Sequence, residues 1–301
     1  MQIVTGIDRA RKIIESAISK NGHMAQHNFS LFKNYNCRGE QNVYFDFGES
    51  GILAYENENY WRFLTDPIAP ENAKATLVEQ AASAVFLQEK AKKIILEDFS
   101  EQLKKDILKR KNELWHPAKA AYFLFWPKLD ILNFDASLAG GSWKRIRNIR
   151  NKFYKENKVE IKKAVDFCAS DLNDLILGWK KKRNDNDRVH LAQYTRFVES
   201  GFEGLQNVRV TTVNGLPAAL VGGWPIPNSS DYYSFFGICD YDFKNISVIS
   251  YLDELAVLKE AGFKHVELGG SYGGLLDFKN KFQPSSIYRT YTFSLIKNNE
   301  N

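Results

Sequence analysis

The chain has 301 residues, 44% of them hydrophobic and 26% charged, with a formal net charge of +5 at pH 7. Such a length buries a large core in one big domain or two ordinary ones, and such a composition excludes a disordered chain. No run of eighteen apolar residues occurs, and the opening MQIVTGIDRARKII threads acids and bases through its apolar positions, so neither a membrane span nor a secretion signal is expected.

Residues 7–18 place Ile7, Ala10, Ile13, Ile14, Ala17 and Ile18 at the spacing of an amphipathic helix. His23 and His27 follow four apart, but HMAQH lacks the glutamate of a zinc-hydrolase helix and no further ligands complete a site, so no metal is expected. Residues 43–47, 51–55 and 60–65 are rich in aromatics and separated by Gly-Glu-Ser and Glu-Asn-Glu-Asn turns, which predicts an antiparallel meander. Asp66-Pro67 ends its third strand. A helix is then expected over 70–88, a short strand over 94–96, a helix over 100–112 capped by Ser100, and an aromatic strand over 120–126. Cys37, Cys168 and Cys239 are odd in number and far apart, which predicts reduced thiols and a cytoplasmic setting.

The second half opens on bases. Between positions 144 and 163 nine Lys or Arg stand against two Glu, and Lys180 to Arg183 adds four more in succession. Such a stripe suits a polyanion or an anionic membrane surface; the plainer alternative is a solvated helix face. An amphipathic helix (Val165, Leu172, Leu175, Ile176, Trp179) and a polar linker over 180–188 precede a hairpin, 208–213 and 216–224, whose Asn214-Gly215 signals a type I′ turn. Strand 232–239, helix 246–261, strand 265–268, helix 274–282 and strand 287–295 complete the chain. The order of the first half thus recurs without residue-level repetition. It predicts two copies of one α/β unit: an N-terminal unit over 1–135, a basic helical connection over 136–190 and a C-terminal unit over 191–301.

Antiparallel strands followed by helix, strand, helix and strand is the order of the GNAT acyltransferase fold. The expected fold class is therefore α/β (α+β), two GNAT-like units in tandem, each a mixed, largely antiparallel sheet flanked by helices. In that fold two central strands splay apart, and the gap admits an acyl donor from one side and an amine or hydroxyl acceptor from the other. Here those strands are 232–239 and 265–268. Beside them ELGGSYGGLLDFKNKFQPSSIYRTY, residues 267–291, holds four glycines within six residues, Gly269, Gly270, Gly273 and Gly274. A tight strand-to-helix turn and close approach to a ligand both account for such a cluster. With Gly237 it would let the strands part and leave backbone N–H groups ready to polarise an acyl carbonyl, which makes Gly269, Gly270, Ser271 and Tyr272 candidate binding residues.

An attacking ammonium must lose a proton, and Asp240, Glu267, Tyr272 and Tyr288 surround the expected splay. Glu267 alternates with Val266 and Leu268, so it is a charge on a buried strand that needs a partner or a function. Asp240 fits a turn residue as well as a base, and Cys239 fits an inert core thiol. On the last helix Leu275, Phe278 and Phe282 are expected to face inward, with Asp277, Lys279 and Asn280 elsewhere; Lys279 is then a solvated lysine or a donor to an oxyanion. In the basic helix Ile146, Ile149 and Phe153 face inward. Arg145, Arg147 and Asn148 are left to reach a phosphate or a ribose, or to make structural salt bridges.

Three segments resemble the phosphatidylglycerol lysyltransferase C-terminal domain family, which is related to the Fem-type aminoacyltransferases and built of two GNAT units. GSWKRIRNIRNKF, residues 141–153, is similar to its glycine, basic, Arg-Asn and Asn-x-Phe helix; LTDPI, residues 64–68, to its Asp-Pro turn; and LLDFKNKF with Tyr288 to its closing Phe-Lys-x-x-Phe pattern. The resemblance implies direct transfer of an aminoacyl group from aminoacyl-tRNA to an amine or hydroxyl acceptor, with no cofactor beyond that donor. Taken together with the residue reading, it leaves Glu267, Lys279, Tyr288 and Asp240 as the catalytic candidates and Arg145, Arg147, Asn148 and Asp277 as candidates for substrate contact. Lipid-modifying members carry a multi-helix membrane segment ahead of this domain, which this sequence lacks, so transfer chemistry is implied more firmly than a lipid acceptor. Peripheral contact with an anionic inner membrane face is the matching expectation. Two alternatives stand beside it. One is an acyl-CoA or other thioester-dependent N-acyltransferase, against which the Arg/Gln-x-x-Gly-x-Gly/Ala loop is absent where the chain reads CDYDFKNIS; the other is a non-catalytic module that holds RNA or anionic lipid.

Overall fold

A computed structural model of the chain describes residues 1–37, 39–88, 91–183 and 191–298. The first repeat consists of β1 (Gln2–Val4), α1 (Ile7–Asn21), α2 (Phe29–Asn34), β2 (Gln41–Asp46), β3 (Gly51–Glu56), β4 (Trp61–Phe63), α3 (Lys74–Phe86), β5 (Lys93–Ser100), α4 (Glu101–Leu108) and β6 (Trp115–Asp130). After α5 (Lys144–Glu156) the same order returns. It runs β7 (Val159–Lys163), α6 (Ala169–Lys181), α7 (Leu191–Glu199), β8 (Gln206–Val213), β9 (Leu216–Pro225), β10 (Asp231–Cys239), α8 (Ile246–Glu260), β11 (His265–Glu267), α9 (Gly273–Asn280) and β12 (Ser286–Lys297). Four short elements, β1, α2, β7 and α7, lie outside the sequence expectation. The linker expected over 180–188 falls, from 184 onward, outside the described residues.

All twelve strands form one sheet, in the order β1-β2-β3-β4-β5-β12-β6-β11-β10-β9-β8-β7. The list is a palindrome of the two repeats about its centre, where the last strand of each repeat has crossed into the other: β12 lies beside β5, and β6 beside β11. Each repeat is a mixed sheet in which only β4/β5 and β10/β11 are parallel. The expected strand over 120–126 proves to be sixteen residues long. Pro117 and Pro127 sit opposite Leu295 and Ile287 within the ladder, and the Pro127 carbonyl accepts Leu268 N–H at 3.0 Å.

Burial divides the helices between the two faces. On one face α1 and α2 pack with α6 and α7 in a core shared by both repeats, around Phe32, Tyr44, Tyr55, Trp179, Trp224 and Phe236. On the other face there are three separate cores, the smallest joining Phe153 of α5 and Ile246 and Ile249 of α8 to Val213, Ala219 and Cys239. Ala75, Ala81, Ala82, Val85 and Phe86 of α3 and Leu103 of α4 cover Val43, Phe45, Phe99 and Phe293. Leu252, Leu255 and Leu258 of α8, with Phe282, cover Leu129, Tyr232 and Val266. Ile13 of α1, expected on the buried face, is exposed.

The Asp-Pro turn is a tie between elements. Asp66 accepts Ser100 N–H and Ser100 Oγ, each at 2.8 Å, and Lys74 Nζ lies 3.4 Å away. His27 is buried beneath it. Its Nδ1 accepts His23 N–H at 3.0 Å and its Nε2 donates to Asp66 O at 2.9 Å, while burial pushes its pKa down to about 3. His27 thus belongs to the packing, whereas His23 is exposed, its Nε2 2.8 Å from Lys74 Nζ. Because each repeat completes its sheet with the other's last strand, fragments 1–135 and 136–301 produced separately are expected to show no cooperative thermal transition. Mixing them should restore one, as followed by far-UV circular dichroism.

Candidate active site

In the second repeat the parallel strands part. β10 and β11 pair only over Asp231–Tyr233 and His265–Glu267. β10 then continues along β9 with a bulge between Ser234 and Phe236. The chain after Glu267 turns instead onto β6: Leu268 N–H donates to Pro127 O at 3.0 Å, and Ser271 exchanges backbone bonds with Phe125 at 2.8 and 3.0 Å. Gly269 makes this turn at φ +79°, and a Cβ on Gly270 would stand 2.8 Å from Leu124. The turn reading of the glycine cluster therefore holds at these two positions.

Lys279 closes the turn from α9. Its side chain is 4% exposed, and its Nζ donates to Gly269 O at 2.9 Å. No carboxylate pairs with it among the described residues, and burial pulls its pKa down to about 7. The inward position is a correction: Lys279 is buried, whereas Leu275, expected in the core, is exposed. Periodicity assigns an apolar face to a helix, but in α9 the lysine stem fills the interior in place of Leu275.

Across the turn, Glu267 accepts the Tyr288 hydroxyl at 2.7 Å. Burial raises both pKa values, keeping the phenol protonated and the carboxyl easier to protonate than usual. Trp126 stacks on Tyr288, ring centroids 5.9 Å apart, and donates from Nε1 to Thr290 Oγ1 at 2.8 Å. Thr290 in turn donates to Asp98 at 2.7 Å, and Gln26 donates to the second Asp98 oxygen at 3.3 Å. Burial first, and then Glu97, push Asp98 up to about 7. Two hydrogen-bonded groups, Glu267–Tyr288 and Trp126–Thr290–Asp98, thus meet along the β6–β12 seam through the stacked rings of Tyr288 and Trp126.

The first repeat shows what such a position looks like when it is sealed. α4, the counterpart of α9, begins with Ser100 Oγ accepting Leu103 N–H, and Asp66 holds Ser100 in turn. α9 begins at Gly273 with no side-chain cap. The helix start and its positive end are occupied by protein groups in one repeat and open in the other.

The other candidates are dispersed. Tyr272, just before α9, and Asp277, on it, are exposed. Asp240 lies at the far end of β10, ion-paired with Lys182 at 2.7 Å, and is not brought to Glu267. Arg145 and Asn148 are exposed on α5. Arg147 instead donates to Leu138 O and, at 3.1 Å, to Gly140 O, tying down the loop before its helix; Arg150 does the same to Ala136 O at 2.7 Å. Cys239 is buried, and its thiol is pushed up to about 11 by that burial. Gly237 leaves room for Tyr251, whose hydroxyl would stand 2.6 Å from a Cβ there.

Sequence reading missed Asp98, Trp126, Thr290 and Glu254. Glu254, on α8, is fully buried and accepts Ser234 Oγ at 2.7 Å, beside the bulge, while burial pushes it up to about 8. A pair of adjacent acids inside each of the apolar runs 94–99 and 246–258, Glu97-Asp98 and Asp253-Glu254, was the available signal for Asp98 and Glu254.

No family model matches the sequence, and neither does any curated protein. Solved structures do match. L-PGS from Bacillus licheniformis superposes with a TM-score of 0.67 at 14% identity, covering 94% of this chain and 90% of that one. The DUF2156 C-terminal domain of a lysylphosphatidylglycerol synthetase from Agrobacterium fabrum gives 0.68 at 16%, covering 97% and 92%. A conserved protein of unknown function from Bacteroides thetaiotaomicron gives 0.74 at 15%, covering 99% and 100%. The chain therefore has the tandem GNAT fold of these synthetase domains, the fold its three motifs imply.

Folding lowers the Lys279 pKa, so between about pH 7 and 10.5 the unfolded chain binds more protons than the native one. The lysine accordingly destabilises the fold at neutral pH, and the penalty fades as the pH rises toward 10.5. Lys279→Met is expected to raise stability at pH 7 by about 1–4 kcal/mol, as buried ions replaced by apolar groups do. Urea titrations at several pH values should show the gain shrinking toward alkaline pH.

Proposed function

We propose that the chain is an acyltransferase that moves an aminoacyl group from aminoacyl-tRNA to an amine or hydroxyl acceptor by direct attack in the second repeat. The observation that carries this reading is Lys279, a buried lysine with no carboxylate partner beside an uncapped helix start. A buried charge left without compensation marks a functional position more often than a structural one. The motif resemblance and the synthetase domains that share the fold favour the aminoacyl donor.

In this mechanism the acceptor attacks the ester carbonyl carbon, the acyl–oxygen bond to the terminal ribose breaks, and one proton passes from the acceptor to Glu267. The Lys279 ammonium and the open start of α9 stabilise the oxyanion, and the lysine supplies the proton taken up by the departing ribose oxygen. Tyr288, held by Trp126, orients Glu267. Lys144, Arg145 and Asn148, exposed on α5, are the groups free to meet RNA phosphates, since Arg147 and Arg150 are engaged with backbone carbonyls. Against the acyl-CoA alternative stand Asp240 and Asp242, both bound to Lys182 just before α8, where a pyrophosphate would need free N–H groups and no carboxylates. No helix among the described residues is long and apolar enough to cross a membrane, so a lipid acceptor would be met at the membrane surface.

Incubation with a pool of charged tRNAs and, separately, with acyl-CoAs tests the reading: ester loss from tRNA alone is expected, and turnover of CoA thioesters alone overturns it. Lys279→Ala should lower kcat by roughly 10²–10³ with little change in donor affinity, the loss seen when an oxyanion donor is removed. The pH profile of kcat/KM should fall in acid as Glu267 gains its proton and decline above about pH 7 as Lys279 loses its own. Arg145→Ala should weaken donor binding and reduce its salt slope, whereas Arg147→Ala should lower the Tm whatever the salt.

A further inference from the structure

We propose that the open sheet face floored by Phe123, Phe125, Ile287, Arg289 and Tyr291 is a stacking platform for unpaired RNA nucleotides, and that it receives the single-stranded 3′ end of the donor. β6 and β12 are the two central strands of the sheet, where a covering layer is the rule, yet Phe123 is 43% exposed and Ile287 45%. The register explains the gap. Phe123, Phe125 and Leu129 share one face of β6, opposite Tyr291, Arg289 and the α9 side of the sheet. On that face the core under α3 and α4 ends at Tyr291, and the core under α8 begins at Leu129. Phe123 and Phe125 lie in the interval between them.

The chemistry of the interval fits a nucleotide strand. Phe123 and Phe125 meet edge to face with centroids 5.2 Å apart, and the exposed surface of Phe123 is available to a base. The Arg289 guanidinium lies 5.1 Å from the first ring and 5.2 Å from the second, with no carboxylate in ion-pair range among the described residues. Lys104 lies 4.0 Å over Tyr291 at the other end. The neighbouring acid, Glu101, is bound to Lys105 at 2.8 Å. Aromatic faces interleaved with unpaired cations stack bases and neutralise phosphates together. The inner end of the platform is hydrogen-bonded to the site: Phe125 pairs with Ser271, two residues from the Gly269 carbonyl that holds Lys279.

The proposal rests on the aminoacyl-tRNA reading for the choice of RNA alone, and uncharged RNA keeps the two tests apart. Fluorescence anisotropy of the full chain would compare an RNA hairpin carrying four unpaired 3′ nucleotides with the same hairpin blunt-ended. The overhang is expected to tighten binding about tenfold or more, the worth of one or two stacked bases. Phe123→Ala should remove most of that gain and Phe123→Trp should retain it, with the Tm unchanged because Phe123 is exposed. Equal affinity for the two hairpins overturns the proposal, as does an overhang preference that survives Phe123→Ala combined with Phe125→Ala. Binding to anionic vesicles with none to either hairpin overturns it too. Loss of ester transfer with overhang binding intact would count against the catalytic reading and leave the platform standing.

Discussion

The antiparallel pairing of β6 with β12 runs from Lys128 opposite Ser286 to Trp115 opposite Lys297, and through it each repeat borrows its last strand from the other. Everything assigned to the site hangs on this seam. Trp126 and Tyr288 are cross-strand neighbours in it, and so are Phe125 and Arg289. Glu267 reaches Tyr288 only because β11 lies against β6, and Asp98 reaches Thr290 only because β5 lies against β12. Two GNAT units set side by side without exchange would keep their cores but would not bring an acid of the first repeat to the same seam as an acid of the second.

Buried charge in this protein is of two kinds, and the contrast identifies the site. Arg62 is nearly inaccessible, but Glu40 holds it at 2.9 and 2.5 Å and Glu97 at 2.5 Å, with the Tyr55 ring 4.2 Å from its guanidinium. That geometry compensates the loss of water, and the pair braces β4 against β5 and the turn after α2. Lys279 has one carbonyl, and Glu267 a single hydroxyl partner. These groups are held where ionisation is costly, and their pKa values move accordingly. In the first repeat Asp66 and Ser100 fill the position that corresponds to the open start of α9.

The motifs were legible because they are local. Strand, turn and helix from Glu267 to Asn280 follow from alternation, glycines and a 3.6-residue period, and the Asp-Pro turn follows from the restrictions proline imposes on the chain before it. The functional sense of each motif was less legible. Arg147, in the segment most like the family, braces a loop, and the Asp66 turn seals a helix start. Lys279 faces inward although its helix, read by period, points Leu275 there. Asp98 lay in plain view within an apolar strand, but its partners are 192 positions distant in the case of Thr290 and 72 in the case of Gln26.

The sequence by itself determined the two repeated α/β units, their splayed strands and the basic helix between them, since period, turn residues and charge are properties of neighbouring positions. The tertiary structure alone decided that the last strands are exchanged, that Lys279 is buried without a counter-charge, and that Phe123, at the centre of the sheet, stands open to solvent. Those three facts depend on which elements lie against one another across more than a hundred residues of chain. No pattern of adjacent side chains specifies that, because many packings bury the same apolar faces equally well.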